Sequence, residues 1–227
     1  MEREDFDNLI MRKQNVLLHF ERILDSPLGG AEYLFSGIED GADYAIDIAI
    51  FPPTRLYNYY VATTVGLSCY QPDLEYDRCE LFMALPASYK LDLSKKENSW
   101  PLELLHKLAY SLKNGKEVAR IGQLYELFEK GHFKATDKTC GIVVLPEMFE
   151  EDMAQELIDI DYTRFFQFVP LSHDQLQKAL DIGVNEFIEY DLHDTDGPDM
   201  VVDWKPKTNK KMDRIIEHNE KSLKGKL

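Results

Sequence analysis

The sequence predicts an α+β domain in which helices flank a mixed, mainly antiparallel sheet. Two patterns lead to this prediction. Apolar residues recur at helical spacing near the N-terminus and again after residue 100, and they alternate with a period of two between residues 43 and 85. Strand and helix patterns follow one another in mixed order, which favours an α+β arrangement. With 227 residues, 44% of them hydrophobic, the chain can bury one large core.

The chain opens with a predicted amphipathic helix over residues 1–24. The spacing of its apolar residues places them on one face, and the turn-forming stretch SPLGG around Pro27 ends the helix. We expect this helix to pack on a domain formed by residues 25–203. Residues 204–227 then form a separate, basic tail.

Three segments of the predicted sheet alternate in polarity: DYAIDIAIF, NYYVATTVG and RCELFMAL. Many of their residues are β-branched or aromatic, which is typical of half-buried strands. In each segment one set of alternate residues should face the core. The three sets are Ile46, Ile48 and Ile50; Tyr59, Val61, Thr63 and Val65; and Cys79, Leu81, Met83 and Leu85.

Elements of both kinds are predicted in the second half of the chain. WPLELLHKLAYSL reads as a helix with Pro101 in its first turn, and ARIGQLYELFEKG as a further short helix ending at Gly131. CGIVVLP and FFQFVPL are predicted strands, and a helix should run from Ser172 to Gly183. EFIEYDL and MVVDW are predicted late strands, followed by a charged helix over residues 207–222.

The charge of the chain is strongly negative. It has 41 Asp and Glu residues against 26 Lys and Arg, a formal net charge of −15. Residues 204–227 reverse this trend with eight Lys or Arg residues and three acids. The rest of the chain should therefore repel nucleic acid and anionic membranes, and it should steer a basic protein partner toward itself. A solubilising surface would explain the same charge, so both interpretations stay open.

Several features favour the cytoplasm. The N-terminal sequence MEREDFDNLI is charged at once and lacks the apolar run of a secretory signal. No stretch approaches the roughly 18 uninterrupted apolar residues expected of a membrane-spanning helix. Cys69, Cys79 and Cys140 form no CxxC pair, so we expect reduced thiols rather than a disulfide framework or a zinc site.

Ser172, His173 and Asp174 are consecutive, and they are the three residue types of a nucleophilic triad. A triad needs its side chains to converge, whereas neighbouring residues at a helix start point about 100° apart. Ser172 followed three residues later by Gln175 fits a capping box instead. We therefore predict a helix cap at this position and no catalytic relay.

Metal and cofactor motifs are missing from the sequence. The acidic segment DLHDTDGPD (191–199) resembles a calcium loop, but its best alignment puts Leu192 at the first ligand position, where a carboxylate is required. The six histidines form neither HxH nor HExxH, and no GxGxxG, GxxxxGK[ST] or GxSxG occurs. Basic patches interleaved with aromatic residues are also missing. We therefore predict no cofactor, no metal and no nucleic-acid partner.

Six segments, taken in order, resemble the suppressor of fused (Sufu) domain family. The most specific are the ELxxxLP strand, the WPxELLxxLA helix start and the FxQxVPL corner, and together the six extend over roughly residues 30–192. Gln175 stands where the family frequently has an acid, but glutamine also completes a capping box. The segments are IDIAIFPPT (46–54), VATTVGLS (61–68), RCELFMALP (78–86), WPLELLHKLAYSL (100–112), CGIVVLP (140–146) and FFQFVPLSHDQL (165–176).

The resemblance implies a binding module rather than an enzyme. Animal relatives hold a transcription-factor peptide against the sheet with help from a second, C-terminal domain, and at 227 residues this chain is too short to add that domain. The glutamate of the family's GFELTF-like strand corresponds to Glu80. Stand-alone bacterial relatives are thought to be immunity proteins that neutralise toxins. Taken with the acidic charge and the features that favour the cytoplasm, the resemblance leads us to predict a cytoplasmic protein, monomeric or weakly dimeric, that captures a basic toxin domain.

The predicted contact surface combines tyrosines and acids. Tyrosines provide desolvated anchors and carboxylates pair with Lys or Arg, so we expect contacts from an exposed Tyr59 or Tyr60 and from Glu80. Core packing would explain the tyrosines equally well, and a solvated loop would explain the acids. The polar segment after GLS adds the predicted contacts Asp73, Glu75, Tyr76 and Asp77.

Two other functions stay open. One is a regulatory adaptor that binds a peptide or protein by adding a strand to a sheet edge. The other is a hydrolase or metal-dependent enzyme whose site forms only in the folded chain. Neither has a motif of its own in the sequence.

Overall fold

The computed structural model describes residues 3–27, 29–31, 33–36, 46–70, 78–89, 96–115, 119–145 and 163–192. The helices in these ranges are α1 (Arg3–Ile23), α2 (Lys96–Gly115), α3 (His173–Ile182) and the short α4 (Val184–Phe187). The strands are β1 (Tyr33–Ser36), β2 (Asp47–Phe51), β3 (Tyr59–Val65), β4 (Arg78–Pro86), β5 (Leu124–Glu126), β6 (Lys138–Val144) and β7 (Thr163–Ser172).

The seven strands described above form one sheet in the order β1-β2-β3-β4-β7-β6-β5. All neighbouring pairs are antiparallel except β4 and β7, which run parallel. A parallel pair needs a long crossover connection, and α2 lies within the connection from β4 to β7. The predicted mixed, mainly antiparallel sheet is thus confirmed.

Helices cover both faces of the sheet. On one face, Leu105 and Leu108 of α2 belong to the same apolar cluster as Leu81 of β4. On the opposite face, the Phe20 ring of α1 lies 5.8 Å from the Phe82 ring. Consecutive strand residues point to opposite faces, so Leu81 and Phe82 join the two layers through one strand.

The helices α3 and α4 share a face with α1. Phe165 of β7 belongs to the cluster around α1, whereas Val169 and Leu171 belong to the cluster around α3 and α4. These three residues are separated by even numbers along one strand, so they point to the same side. One layer of the domain is therefore α2, and the other contains α1 beside α3 and α4.

The predicted faces of β2, β3 and β4 are confirmed, but the expectation of half-buried strands is wrong. Ile48 and Leu81 face α2 as the alternation predicts, yet their neighbours Ala49 and Phe82 are also fully buried. The reason is that α1 covers the second face of the sheet. A period of two shows which residues share a face, but it does not show whether the other face meets solvent.

Two segments of the second half differ from their predicted structure. Residues 119–133 form turns around β5 rather than a helix. The reason is that Gly122 N donates to Val143 O of β6, and Val143 N donates to Gln123 O. EFIEYDL forms α4 and a π-helical turn, Ile188–Leu192, rather than a strand. In both cases packing against the rest of the molecule outweighs the local pattern.

The helix α2 begins earlier than predicted. It starts at Lys96, so Pro101 lies in its second turn rather than its first. Trp100 is fully buried, and the Ser99 hydroxyl donates to the Glu103 carboxylate over 2.5 Å. Trp100 joins the additional turn to the apolar cluster under the sheet, and the Ser99–Glu103 bond connects that turn to the next one.

Other predictions fall partly or wholly outside the described ranges: MVVDW, most of DLHDTDGPD, the helix over residues 207–222 and the tail 204–227. The division of the chain near residues 24 and 203 also stays a prediction. In the part that the structure describes, no helix is long and apolar enough to cross a bilayer. All three cysteines lie in that part, and none forms a disulfide.

Candidate protein-binding surfaces

Of the predicted contact residues that the structure describes, the two tyrosines and Glu80 lie at opposite ends of the β3–β4 ladder. Tyr59 pairs with Pro86 and Tyr60 with Leu85, at the end where β3 begins. Glu80 lies five residues before Leu85 on β4, about 17 Å away along the strand. The tyrosines and Glu80 therefore do not form one contact patch.

Of the two tyrosines, only Tyr60 has a partly solvent-exposed side chain. Tyr59 is 4% exposed and belongs to the core on the α1 side, where its ring lies 5.5 Å from that of Tyr57. Tyr60 points to the other face, is half-buried and packs against the α2-side cluster. Tyr59 is thus a core residue, and the prediction of an exposed anchor applies only to Tyr60.

Glu80 is fully buried, and its carboxylate accepts five hydrogen bonds from Thr64 of β3 and from the turn that follows this strand. Oε1 accepts from Gly66 N at 2.9 Å, from Ser68 N at 3.1 Å and from Ser68 Oγ at 2.7 Å. Oε2 accepts from Thr64 Oγ1 at 2.6 Å and from Leu67 N at 3.2 Å. One side chain thus satisfies three consecutive backbone N–H groups of a turn.

This geometry corrects the predicted role of Glu80. A carboxylate with no exposed surface cannot pair directly with a partner's Lys or Arg. It fixes the turn at Gly66, whose φ of +107° favours glycine and over which Lys13 of α1 lies. Burial raises the pKa of Glu80, and the hydrogen bonds from Thr64 and from the turn oppose that rise.

The remaining predicted contacts, Asp73, Glu75, Tyr76 and Asp77, lie in residues 71–77, outside the described ranges. The segment follows the short 3₁₀ turn Ser68–Tyr70 and precedes β4. Both of its flanks are therefore placed by the network around Glu80. These four contacts stay a prediction.

The capping box predicted at Ser172 is confirmed. Ser172 Oγ accepts a hydrogen bond from Gln175 N at 3.2 Å, and Gln175 Oε1 accepts one from Ser172 N at 3.0 Å. Each residue satisfies a backbone N–H that the first turn of α3 leaves without a helical partner. Gly183, with a φ of +98°, ends the helix as predicted.

The neighbours of Ser172 do not form a relay with it. The His173 ring directs Nε2 toward Phe128 O, 3.3 Å away, and Asp174 is paired with Lys130 Nζ at 3.1 Å. The three side chains thus have three separate sets of partners, as their positions at a helix start require. Among the described residues, no group of three or more His, Cys, Asp or Glu side chains could hold a metal ion.

A groove of about 640 Å³ runs along the outer side of α2. Its walls include His106, Tyr110 and Phe128, and the opposite charges of Glu103 and Lys107 lie along it. This mixture of aromatic rings and balanced charge does not favour an anionic or a cationic ligand.

A surface feature that sequence reasoning missed is the turn between β2 and β3. Thr54 N donates to Tyr57 O at 2.8 Å, which leaves Arg55 and Leu56 as a two-residue tip. Leu56 is 66% exposed, and Arg55 is exposed beside it. The two prolines of FPPTRLYN indicate a connection between strands, but the exposure of Leu56 can be seen only in the folded chain.

A mixed sheet between two helical layers, with a turn held by a buried carboxylate, defines an α+β domain. The family model "Suppressor of fused protein (SUFU)" matches residues 42–205. The match covers more than half of the sequence, so the chain belongs to the suppressor of fused family. A search among curated proteins found no match.

Three solved structures share the fold. A suppressor of fused homologue from Neisseria gonorrhoeae FA 1090 is 14% identical, with a TM-score of 0.61 over 88% of this chain and 97% of that chain. The Sufu–Fu complex is 13% identical, with a TM-score of 0.64 over 87% and 91%. Drosophila Suppressor of Fused is 14% identical, with a TM-score of 0.61, and here the match covers 92% of this chain but only 53% of that chain.

Proposed function

We propose that this protein is an immunity protein: it binds a toxin domain with a basic surface and neutralises it by occupying that surface. The observation that carries the proposal is the net charge of −15 of a chain that belongs to the suppressor of fused family. A strongly acidic domain attracts a basic partner over distances of about a Debye length, roughly 8 Å at physiological salt, before any contact forms.

Protein binding as such has further support. One of the similar structures is a complex between Sufu and Fu, so a domain with this fold can present a protein-binding surface. The described residues offer surfaces rather than a clustered reaction centre. The proposed function requires only association, because a toxin whose active surface is covered cannot reach its target.

The contacts proposed for the complex combine steering with anchoring. Asp73, Glu75 and Asp77 would pair with Lys or Arg of the partner, and Tyr76 would provide an aromatic contact within the same segment. Tyr60, half-buried where β3 begins, would contribute a second aromatic contact. As part of the same proposal we place the protein in the cytoplasm, where free thiols persist.

The strand order supports a second candidate, a regulatory adaptor that binds by strand addition. Among the described strands, β1 and β5 lie at the two ends of the sheet. An edge strand presents unpaired backbone groups that an extended peptide can use. Because β5 has only three residues, β1 with four is the better candidate edge.

Co-expression tests the immunity function directly. Each C-terminal effector domain of a large secreted protein encoded beside this chain is expressed in cells with and without it. We expect the chain to restore growth against one such domain, and a complex of the two should survive gel filtration. Failure to rescue cells from any neighbouring effector domain contradicts the proposal, and binding of a non-toxic peptide along β1 would favour the adaptor.

A further inference from the structure

The β2–β3 turn presents an apolar side chain in a fixed position. Between Phe51, which is fully buried, and Tyr59, which is 4% exposed, the chain leaves the core and returns within seven residues. At the tip of this excursion, Leu56 is 66% exposed, the largest value among the exposed large hydrophobic residues of the described ranges. When a partner removes an apolar side chain at such a position from water, the complex is stabilised.

Four constraints hold the tip in place. Pro52 and Pro53 have restricted φ angles directly after β2. Thr54 then closes the turn twice: its N–H donates to Tyr57 O at 2.8 Å, and its Oγ1 accepts from Tyr57 N at 3.3 Å. Neither tip residue has a positive φ, so the conformation is unstrained for Arg55 and Leu56.

The base of the turn is also anchored. The Tyr57 ring packs against the α1-side core and lies 5.5 Å from the ring of Tyr59. The tip is therefore presented by a turn that is already ordered in the free protein. A preorganised contact loses little conformational entropy on binding, and this is the condition under which one side chain contributes strongly to affinity.

We propose that Leu56 and Arg55 form an insertion tip that enters a concave site on the partner. The fitting site has an apolar pocket for Leu56 and a hydrogen-bond acceptor at its rim for the Arg55 guanidinium, the only charged group in FPPTRLYN. A protruding, preformed turn is complementary to a cleft, and enzyme active sites are clefts of this kind. The inference rests on the proposed function: the partner is the toxin domain, and the site is its catalytic cleft.

The chain offers a matched control for Leu56. Leu180 is 61% exposed, so an aspartate at either position meets solvent in the free protein and should leave the fold intact. Leu180 lies on the helix α3, however, and not on a projecting turn. A difference between the two substitutions in partner binding therefore reports the location of the interface rather than the chemistry of the change.

The experiment measures binding of Leu56→Asp and Leu180→Asp to the effector domain that the rescue test identifies, by titration calorimetry and by inhibition of that domain's activity. We expect Leu56→Asp to weaken affinity at least about tenfold, Leu180→Asp to change it less than about twofold, and Leu56→Met to keep most of it. Arg55→Glu should also weaken binding. Equal affinities for Leu56→Asp and wild type overturn the insertion tip and leave the immunity function intact.

A second measurement applies if no effector domain is rescued, which is failure of the proposed function. A photo-crosslinking amino acid is placed at position 56 or at position 180 of the full chain in its native cells. A discrete adduct specific to position 56, identified by mass spectrometry and bound by the purified wild type but not by Leu56→Asp, supports the insertion tip and overturns the toxin domain as the partner that it enters. Identical adduct patterns at both positions, or no adduct, overturn it.

Discussion

At the residue scale, Glu80 is the position whose interpretation changes most between sequence and structure. The ELxxxLP motif identifies this glutamate as unusual, because it is the only acid in β4 and a run of apolar residues follows it directly. The motif cannot show that the charge points inward, where three backbone N–H groups and two hydroxyls meet it. Glu80 thus acts on the molecule through the turn that it holds and not through a partner's cation.

Replacing Glu80 with glutamine should lower the free energy of unfolding by about 1–3 kcal/mol near neutral pH. The amide has one acceptor atom where the carboxylate has two, so at least two of the five buried donors now face an NH₂ group. Urea unfolding followed by circular dichroism measures the change. The control Glu189→Gln, at an exposed position, should stay within about 0.5 kcal/mol of wild type. An equally small change for Glu80→Gln would contradict the role given to the network.

The difference in unfolding free energy between wild type and Glu80→Gln should depend on pH. Burial raises the pKa of Glu80 above its ordinary value of 4.5, so the folded protein binds this proton more tightly than the unfolded chain does. The contribution of the group to stability is then complete below pH 4.5 and declines as pH rises through the raised pKa. The unfolding free energy of wild type minus that of Glu80→Gln should fall over this range. A difference that is constant between about pH 4 and pH 8 would argue against a raised pKa.

At the scale of secondary-structure elements, α3 shows which local signals are reliable. Ser172, Gln175 and Gly183 mark its ends through short-range hydrogen bonds and backbone conformation, and the helix has the predicted bounds. The segment around β5 shows the opposite case. The spacing of its apolar residues resembles that of a helix. Its backbone groups pair instead with β6, a strand that comes later in the chain. Local patterns predict elements well when the stabilising contacts are themselves local.

The capping function of Ser172 can be separated from catalysis by substitution. Ser172→Ala removes the acceptor for Gln175 N and should cost about 1 kcal/mol of stability, measured by urea unfolding. Both Ser172→Ala and His173→Ala should still neutralise the toxin domain in the co-expression test. Loss of neutralisation by a folded Ser172→Ala variant would revive a chemical role for this serine.

At the scale of the whole molecule, the acidic surface and the projecting turn would act at different stages of binding. The net charge of −15 acts over long distances and favours encounter with a basic partner. The insertion tip would act after contact, because burial of Leu56 requires close fit.

The association rate with the toxin domain should therefore depend on ionic strength. We expect the rate constant to fall at least about tenfold between roughly 50 and 500 mM NaCl, with a smaller change in the dissociation rate, because salt screens steering more than a close apolar contact. Stopped-flow fluorescence measures both rates, and sucrose at matched viscosity provides the control. An association rate that does not change with salt would remove electrostatic steering from the proposed function.

The class of fold, the faces of the three central strands, the cap of α3 and the family could all be predicted from the sequence, because each depends on local spacing or on an ordered set of motifs. Contacts between distant parts of the chain were needed to establish that α1 buries the second face of the sheet, that Tyr59 and Glu80 are internal, and that Leu56 is exposed to solvent. Burial is a property of what packs against a residue from distant parts of the chain. One strand pattern is therefore compatible with an inward carboxylate or an outward one, and only the fold distinguishes them.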